Sequence, residues 1–288
     1  MAKIEVDARL CKQCGACILT CPENILVEGE HAPRTVHAEL CTSCGHCAAI
    51  CGQGAIHHES FPEGAIIPVK TDLLPSGDQV LEMLRARRSL RVFTDAEVEQ
   101  PVVERIIEAA QLAPTAHNLQ NVEYIVVRKK DELKAISDMA VRFFEKMSKQ
   151  LRNPLVRGIV RLTSGHEAKS LLDFVPEMEV MVEGHKKGED FILRGAQCLI
   201  VAHVERNIHL PEANAMLALH NASLLAQAMG LGSFLVGYLV GACGRDRSIP
   251  DFLGVPKTHR VHGALALGYP KQMFSRWPKR KPPEVTWR

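Results

Sequence analysis

The N-terminal fold is decided by Cys11-x-x-Cys14-x-x-Cys17-x-x-x-Cys21-Pro22 and by its near repeat, Cys41-x-x-Cys44-x-x-Cys47-x-x-x-Cys51-Gly52. This spacing is typical of cysteine thiolates that wrap [4Fe-4S] clusters, with the fourth cysteine of each run reaching the other cluster. We therefore expect two clusters. The first would be held by Cys11, Cys14, Cys17 and Cys51, and the second by Cys41, Cys44, Cys47 and Cys21.

Two other uses of clustered cysteines fit this pattern poorly. A zinc ribbon needs two CxxC pairs and would leave half of these cysteines without a role. A disulfide scaffold needs an oxidising compartment, and the N-terminal sequence does not resemble a signal peptide. The motifs therefore indicate iron and sulfide in a reducing cytoplasm, and they favour an anaerobic source.

The composition of the chain excludes some classes of partner. The chain has 288 residues, 46% hydrophobic and 24% charged, which is typical of an ordinary globular protein. Its formal net charge of +2 argues against bulk nucleic-acid binding. The apolar stretch 213–243 is interrupted by His220, Asn221 and Gln227, so we expect no membrane span. The remaining cysteines, Cys198 and Cys243, lie in apolar stretches and are expected to be core thiols.

The cysteine-rich segment resembles the bacterial two-cluster ferredoxins over about Ile4 to His58. The resemblance implies a domain over residues 1–60, in which a short strand, a cysteine loop and a short helix occur twice. Residues 61–77 contain Pro62, Pro68 and Pro75, which is typical of a linker. A second domain is then expected over residues 78–288.

The second domain mixes helical and strand patterns, which predicts an α+β fold with a sheet packed between helices. The expected helices span 79–88, 101–112, 132–150 and 212–229. The last of these is apolar nearly all round and is expected to be a central buried helix. The expected strands span 122–128, 198–204, 234–240 and 261–267. Residues 152–190 are expected to form helices and a mobile excursion.

An arginine-rich segment, Arg87-Arg88-Ser89-Leu90-Arg91-Val92-Phe93, is the first candidate site of this domain. Its guanidinium groups and hydroxyl suit a phosphate, because a guanidinium pairs with phosphate oxygens in a bidentate manner. Arginines at helix ends are more often solvated and favoured by the helix dipole. The segment alone therefore leaves both interpretations open.

Three later pieces add turns and hydrogen-bonding groups. They are Ala113-Pro114-Thr115-Ala116-His117-Asn118-Leu119-Gln120, Gly230-Leu-Gly-Ser-Phe-Leu-Val-Gly237-Tyr238, and Ala266-Leu267-Gly268-Tyr269-Pro270 before a basic tail. The glycines of the second piece do not form a dinucleotide-binding fingerprint, which must follow a strand and open a helix. We expect these glycines to let backbone N–H groups approach a flat ring closely.

Taken in this order, the four pieces resemble the nitroreductase family of FMN-dependent flavoproteins, from about Val80 to the C-terminus. The resemblance implies non-covalent FMN at the interface of a homodimer. By position, the FMN phosphate would be bound by Arg87, Arg88, Ser89 and Arg91, with Arg280 from the tail. The flavin would be contacted on one side by Pro114, Thr115 and Asn118. Its N5 and O4 edge would lie near Val236, Gly237 and Tyr238.

These features lead us to expect an iron–sulfur flavoprotein oxidoreductase. Single electrons would pass from the clusters to FMN and then to a small organic acceptor, such as a nitro compound or a quinone. Reduced ferredoxin is an expected donor, because NAD(P)H could deliver hydride to a flavin without any cluster. One alternative is a non-catalytic electron relay or redox sensor that acts on a protein partner. Another is a reductase or dehalogenase specialised for one metabolite. The sequence identifies no catalytic acid.

Overall fold

The structure, a computed structural model, describes residues 3–163 and 171–288. The chain divides into two compact units. The first comprises Met1–Pro75 and the short segment Ala116–Leu119, and the second comprises Ser76–Thr115 and Gln120–Arg288. Each unit has a buried core of its own.

Between residues 3 and 60, the first unit consists of short strands and helices around two cysteine loops. In chain order these are β1 (Ile4–Val6), α1 (Ala16–Thr20), β2 (Leu26–Val27), β3 (Arg34–Thr35), a 3-10 turn (Ala38–Leu40), α2 (His46–Ile50) and β4 (Ile56–His58). Strand β1 pairs with β4, and β2 pairs with β3, both in antiparallel fashion. The core of this unit is small, with Ile25 and Leu26 packed against Cys17 and Cys47. A domain with so little apolar core usually depends on bound metal or cross-links.

Glycines open both helices of this unit. Gly15 and Gly45 precede α1 and α2 in the left-handed region, with φ of 72° and 73°. That region costs a residue with a Cβ roughly 1–2 kcal/mol, which favours glycine at both positions. At Gly45 an added Cβ would also lie 2.8 Å from Cζ of Phe61. Gly45 therefore makes room for the Phe61 ring, which packs against His58 with 5.1 Å between ring centres.

The second unit contains the longer elements. Its helices are α3 (Gly77–Ala86), α4 (Gln100–Gln111), α5 (Lys130–Arg152), α6 (Pro154–Thr163), α7 (Val175–Lys186), α8 (Pro211–Ala228), α9 (Gly237–Cys243) and α10 (Ser248–Phe252). Its strands are β5 (Glu123–Val127), β6 (Cys198–Glu205), β7 (Gly232–Leu235) and β8 (His259–Gly268). Helix α3 begins with a capping box, in which Ser76 Oγ accepts from Gln79 N and Gln79 Oε1 accepts from Ser76 N.

The strands of the second unit form one antiparallel sheet in the order β5-β6-β8-β7. Successive side chains of β6 point to opposite faces, as they must in a strand. Leu199 and Val201 join the core formed with α5 and α7, whereas Ile200 and Ala202 join the core formed with α4 and α8. Helices therefore cover both faces of the sheet, and the predicted α+β arrangement is confirmed.

One predicted strand is wrong in part. The strand expected over 234–240 ends at Leu235, and helix α9 begins at Gly237. The hydrogen bond from Val236 N to Ala264 O, 2.8 Å long, is the last that this segment makes to β8 before it turns into the helix. A short apolar run suits a buried strand and a buried helix equally well, so periodicity does not distinguish them.

Helices α6 and α7 lie within residues 152–190, where helices were predicted. The excursion predicted in the same range falls partly on residues 164–170, which lie outside the described residues. Burial raises the pKa of the Cys198 and Cys243 thiols to about 12, as expected of core cysteines. Over residues 3–163 and 171–288, no helix is both long and apolar enough to cross a membrane.

Candidate cofactor sites

The structure brings cysteines of the two runs together in mixed groups. Burial raises the pKa of the Cys47 thiol to about 11, and the nearby sulfurs of Cys44, Cys21 and Cys41 contribute to the rise. Burial also raises the pKa of the Cys17 thiol, and there the contributing sulfurs are those of Cys11 and Cys51. Cys21 therefore lies with the second run, and Cys51 lies with the first.

Backbone N–H groups donate to three of these sulfurs. Ser43 N lies 3.4 Å from Cys41 Sγ, and Ala55 N lies 3.3 Å from Cys51 Sγ. Gln13 N makes the equivalent contact with Sγ of Cys11 at 3.4 Å. Such hydrogen bonds stabilise negative charge on sulfur, and they therefore favour the thiolate that a metal requires. The donor set, sulfur surrounded by amide N–H groups, fits an iron–sulfur cluster.

A small cavity in the first unit is lined by four of the sulfurs, those of Cys21, Cys41, Cys44 and Cys47. His58 lines the same cavity. Ser60 N donates to His58 Nδ1 at 3.1 Å, so Nδ1 carries the lone pair and Nε2 carries the proton of the neutral ring. Nε2 lies 3.5 Å from Cys41 Sγ and donates to it. Burial lowers the pKa of His58, which favours this neutral form. No motif marks His58, because the pairing of β4 with β1 places it there.

In the second unit, the arginine-rich segment lies beside the sheet. Ser89 forms a parallel bridge with Ser233 of β7, and Leu90 N donates to Ser233 O at 3.0 Å. Farther along, Thr94 N donates to Tyr269 O at 2.8 Å. Two of the predicted pieces are therefore neighbours of the arginines, namely the glycine-bearing stretch that continues to Val236–Tyr238 and the stretch that ends at Pro270.

The glycines of these two pieces have a packing role that the sequence did not predict. An added Cβ at Gly232 would lie 2.8 Å from Cδ2 of Leu90. At Gly268 it would lie 2.7 Å from Cδ1 of Phe93. Both contacts are too short for a side chain to be tolerated without movement. These glycines therefore admit the apolar residues that hold the arginine-rich segment against the sheet.

Arg91 and Tyr238 each have an aromatic or charged partner in the second unit. The guanidinium carbon of Arg91 lies 5.4 Å from the centre of the Phe234 ring. Tyr238 Oη donates to the carboxylate of Glu177. Burial, followed by this contact, raises the pKa of Tyr238 to about 12, and the charges of Arg194 and Arg91 oppose the rise. Tyr238 therefore keeps its proton at neutral pH and donates it in the hydrogen bond to Glu177.

Sequence reasoning missed Glu177 and Arg194. The Arg194 guanidinium packs over the Phe191 ring, 4.5 Å from its centre. Asp190 orders the loop that carries it, because its Oδ1 accepts from Leu193 N at 2.9 Å and its Oδ2 accepts from Gly195 N at 3.0 Å. An aspartate before an Arg-Gly pair is a turn signal that could have identified this loop. Glu177 lies on α7, in a stretch without a recognisable motif.

The other predicted flavin contacts are distributed over both units. Thr115 Oγ1 accepts from Gln120 N at 2.9 Å, which closes the turn that follows Pro114. Asn118 belongs to the first unit, where its side-chain amide donates to Thr42 O at 3.2 Å and to Ser43 O at 2.9 Å. Arg87 and Arg88 are half-buried and Ser89 is exposed, whereas Arg280 lies in an exposed C-terminal segment without helix or strand.

Comparison with known proteins identifies both parts of the chain. The protein-family model described as "Nitroreductase family" matches residues 84–269 of this chain. The protein-family model described as "4Fe-4S dicluster domain" matches residues 3–52. An FMN reductase [NAD(P)H] from Bacillus subtilis is 26% identical over 205 residues, which are 70% of this chain and 70% of that protein. A protein from Archaeoglobus fulgidus, described provisionally as an NADH dehydrogenase/NAD(P)H nitroreductase, is 26% identical over 194 residues, or 67% of this chain and 87% of its own.

A solved structure shares the fold of the second unit. The crystal structure of a nitroreductase with bound FMN from Bacteroides fragilis superposes on this chain with a TM-score of 0.53 and 21% sequence identity. The superposition covers 73% of this chain and 98% of the Bacteroides fragilis chain. The two resemblances predicted from the sequence are thus confirmed. The chain is an oxidoreductase that belongs to the nitroreductase family and carries a 4Fe-4S dicluster domain in its N-terminal part.

Proposed function

We propose that this protein receives single electrons at two [4Fe-4S] clusters in its first unit and uses them, through FMN in its second unit, to reduce a small organic acceptor. The observation that carries the proposal is the presence, in one chain, of two mixed groups of cysteine sulfurs and a nitroreductase-family unit. A hydride donor would need no clusters, so the clusters indicate a one-electron donor such as reduced ferredoxin.

The cluster ligands in this proposal follow the mixed grouping of the sulfurs. Cys11, Cys14, Cys17 and Cys51 hold one cluster, and Cys41, Cys44, Cys47 and Cys21 hold the other. The N–H groups of Gln13, Ser43 and Ala55 orient three of these thiolates and offset their charge. These ligands keep the metal fixed, so that electron transfer requires little rearrangement of the protein.

The flavin site in this proposal is built on the arginine-rich segment and the neighbouring β7–α9 connection. FMN, when bound, accepts electrons one at a time or in pairs and passes them to an organic acceptor. Its phosphate is neutralised by Arg87, Arg88 and Arg91, with Ser89 as a further donor and Arg280 as a contribution from the tail. Ser233 pairs with Ser89 and accepts a hydrogen bond from Leu90 N, so the backbone that carries the arginines is fixed against the sheet.

Two sets of residues would hold the ring system in this proposal. By the family resemblance, Pro114, Thr115 and Asn118 would contact one side of it, and Val236, Gly237 and Tyr238 would lie near its N5 and O4 edge. Tyr238 keeps its proton at neutral pH and donates it in the hydrogen bond to Glu177, so it cannot act as a base there, and the lone pairs of its oxygen are left to accept hydrogen bonds. The family resemblance leads us to propose a homodimer, and the thiolate-rich first unit leads us to propose a reducing, oxygen-poor cytoplasm.

The decisive experiment compares electron donors on the full-length protein under anaerobic conditions. Flavin reduction would be followed after mixing with reduced ferredoxin or with NAD(P)H. Cys17→Ser and Cys47→Ser each remove one proposed cluster ligand, and Cys243→Ser, outside both cysteine runs, is the matched control. Wild type and Cys243→Ser should be reduced rapidly by ferredoxin, whereas the two ligand variants should be reduced slowly. Equal reduction of all four proteins by NAD(P)H, with no advantage from ferredoxin, would contradict the proposal.

A second measurement distinguishes an enzyme from an electron relay. The reduced protein is mixed with a nitroaromatic compound, a quinone or an oxidised electron-carrier protein. The proposal predicts stoichiometric consumption of one of the small molecules as the flavin is reoxidised. Reoxidation by the carrier protein alone would identify a relay.

A further inference from the structure

Three side chains from neighbouring strands of the second unit meet at one end of the sheet. They are Glu123 of β5, His203 of β6 and His259 of β8, and one ligand atom from each lies within 4.8 Å of the others. Glu123 is directly opposite His203 in the β5–β6 pair. His259 is two residues from Val261, the partner of His203, so the three side chains share one face of the sheet.

An irregularity in the sheet produces this arrangement. Ala202 pairs with Gly263, but the next residue, His203, pairs with Val261, so His262 is the extra residue of a bulge. In an unbroken register His203 would face His262, and His259 would point to the opposite face. The bulge therefore brings His259 beside His203. Bulges of this kind often re-aim a side chain next to a functional site.

The distances suit a bound metal ion. His203 Nδ1 and His259 Nδ1 are 3.0 Å apart. Two nitrogens bound to a tetrahedral zinc ion at about 2.0–2.1 Å would be about 3.3 Å apart, so the two rings need to move very little. Glu123 Oε2 lies 3.9 Å from His203 Nδ1, and Glu123 Oε1 lies 3.9 Å from His259 Nε2. The Glu123 side chain is 59% exposed, so it is free to rotate toward an ion.

The surroundings prepare the histidines for this role. His203 is only 4% exposed, so its ring has little freedom to move away from His259. Arg206 Nε and Arg247 Nη1 both donate to the carbonyl oxygen of His259, at 3.4 and 3.3 Å. These contacts fix the backbone of His259 without using its ring. Arg247 is further paired with Asp251, which offsets its charge.

We propose that Glu123, His203 and His259 bind one divalent ion of the zinc class at this end of the sheet. Two imidazoles and one carboxylate are ligands that zinc prefers, whereas calcium and magnesium prefer oxygen ligands throughout. Three protein ligands leave a fourth position for water or another small ligand. The ion would join the ends of β5, β6 and β8, and it is separate from the cysteine sites of the first unit. The competing arrangement is a simple hydrogen bond between two neutral imidazoles, which binds no metal.

The test measures zinc bound per chain in the full-length holoprotein. Wild type is dialysed anaerobically against buffered free Zn²⁺, and zinc and iron are then measured by elemental analysis. Wild type should retain one zinc per chain without losing iron. His203→Gln and His259→Gln should retain almost none, and His262→Gln, the bulge residue on the same strand, should behave like wild type.

Two further observations keep the test independent of folding. Glu123 is exposed, so Glu123→Gln should fold normally and weaken zinc binding at least about tenfold, whereas Glu108→Gln, at an exposed position of α4, should not. Zinc at a hundredfold excess over its Kd should raise the Tm of wild type by about 5–10 °C, but not that of His259→Gln. Absence of zinc from wild type, equal zinc in the histidine variants, or zinc uptake matched by iron loss would overturn the proposal.

Discussion

His58 Nε2 lies 3.5 Å from Sγ of Cys41 and, because Nδ1 accepts from Ser60 N, it is the nitrogen that carries the proton. A donor at this sulfur stabilises the extra negative charge of a reduced cluster more than the charge of the oxidised one. If Cys41 ligates a cluster as proposed, the contact from His58 should therefore raise the reduction potential of that cluster.

Replacement of His58 by Phe should lower that potential. Phe retains a flat ring for the edge contact with Phe61 but cannot donate to sulfur. If about 1 kcal/mol of differential stabilisation is lost, the midpoint should fall by roughly 40 mV, since about 1.4 kcal/mol corresponds to 59 mV for one electron. An anaerobic redox titration followed by EPR measures the shift. His57→Phe, at the exposed neighbouring position of β4, should leave both potentials unchanged. A midpoint in His58→Phe equal to that of wild type would show that the contact does not affect the cluster.

Gly45→Ala should destabilise the first unit more than Gly15→Ala. Both substitutions force a residue with a Cβ into the left-handed region, at a cost of about 1–2 kcal/mol. Only at Gly45 would the new methyl group also strike the Phe61 ring, which adds about 1–3 kcal/mol. Thermal loss of cluster absorbance, followed anaerobically, should therefore occur at the lowest temperature in Gly45→Ala. When Phe61→Ala is added to both variants, the difference between their transition temperatures should become smaller. Equal transition temperatures for Gly45→Ala and Gly15→Ala would refute the steric explanation.

Arg91→Ala should weaken FMN binding by about 1.5–3 kcal/mol, the contribution of a charge-assisted hydrogen bond. This corresponds to a Kd roughly 10–150 times larger. The fluorescence of released flavin during dilution measures it. Arg105→Ala, on the exposed side of α4, is the control and should bind as wild type does. Unchanged flavin occupancy in both Arg87→Ala and Arg91→Ala would mean that the phosphate lies elsewhere.

The stability of the second unit should fall as the pH rises above 9, partly because of Cys198. Burial raises the pKa of this thiol from its ordinary value of 9.0 to about 12. Between these values the unfolded chain releases the proton and the folded chain keeps it. The contribution of the thiol is therefore complete below pH 9 and is lost as the pH rises toward 12, at about 1.4 kcal/mol per pH unit.

Cys198→Ala should reduce the slope of unfolding free energy against pH, measured by urea unfolding with reductant between pH 9 and 10.5. The substitution also removes buried volume, so it should lower the free energy of unfolding at every pH. Ile200→Val, on the same face of β6, is the control that removes volume without a titrating group, and it should lower the curve without changing its slope. The same slope in Cys198→Ala and wild type would show that the thiol ionises in the folded protein.

The parts of the fold that depend on local pattern could be predicted from the sequence. The cysteine spacing marks two loops, and the glycines before α1 and α2 lie where the loops turn into helices. The long helices and the strands β5, β6 and β8 follow from apolar periodicity. The segment 236–240 could not be assigned correctly, because its short apolar run is compatible with both the helical and the strand periodicity. It forms a helix because it follows the last hydrogen bond to β8, which Val236 makes.

The missed site residues share a different cause. His58, Glu177 and Arg194 reach their partners through strand pairing or loop packing between distant parts of a unit. The Glu123–His203–His259 group has no recognisable ligand spacing in the chain, and one residue of bulge decides whether it forms at all. Such contacts depend on the register of strand pairing and on loop packing, which local sequence motifs do not encode.

The close approach of Gly232 to Leu90 constrains how this protein can change by mutation. A side chain at position 232 is acceptable only after position 90 has become smaller, because the added Cβ would otherwise lie 2.8 Å from Cδ2 of Leu90. The two positions are therefore epistatic, and the order of substitutions matters. Leu90→Ala first opens space that Gly232→Ala can then fill, whereas the reverse order passes through an intermediate that displaces the arginine-rich segment. Of the two mutational paths between the same endpoints, selection for flavin binding would leave one open.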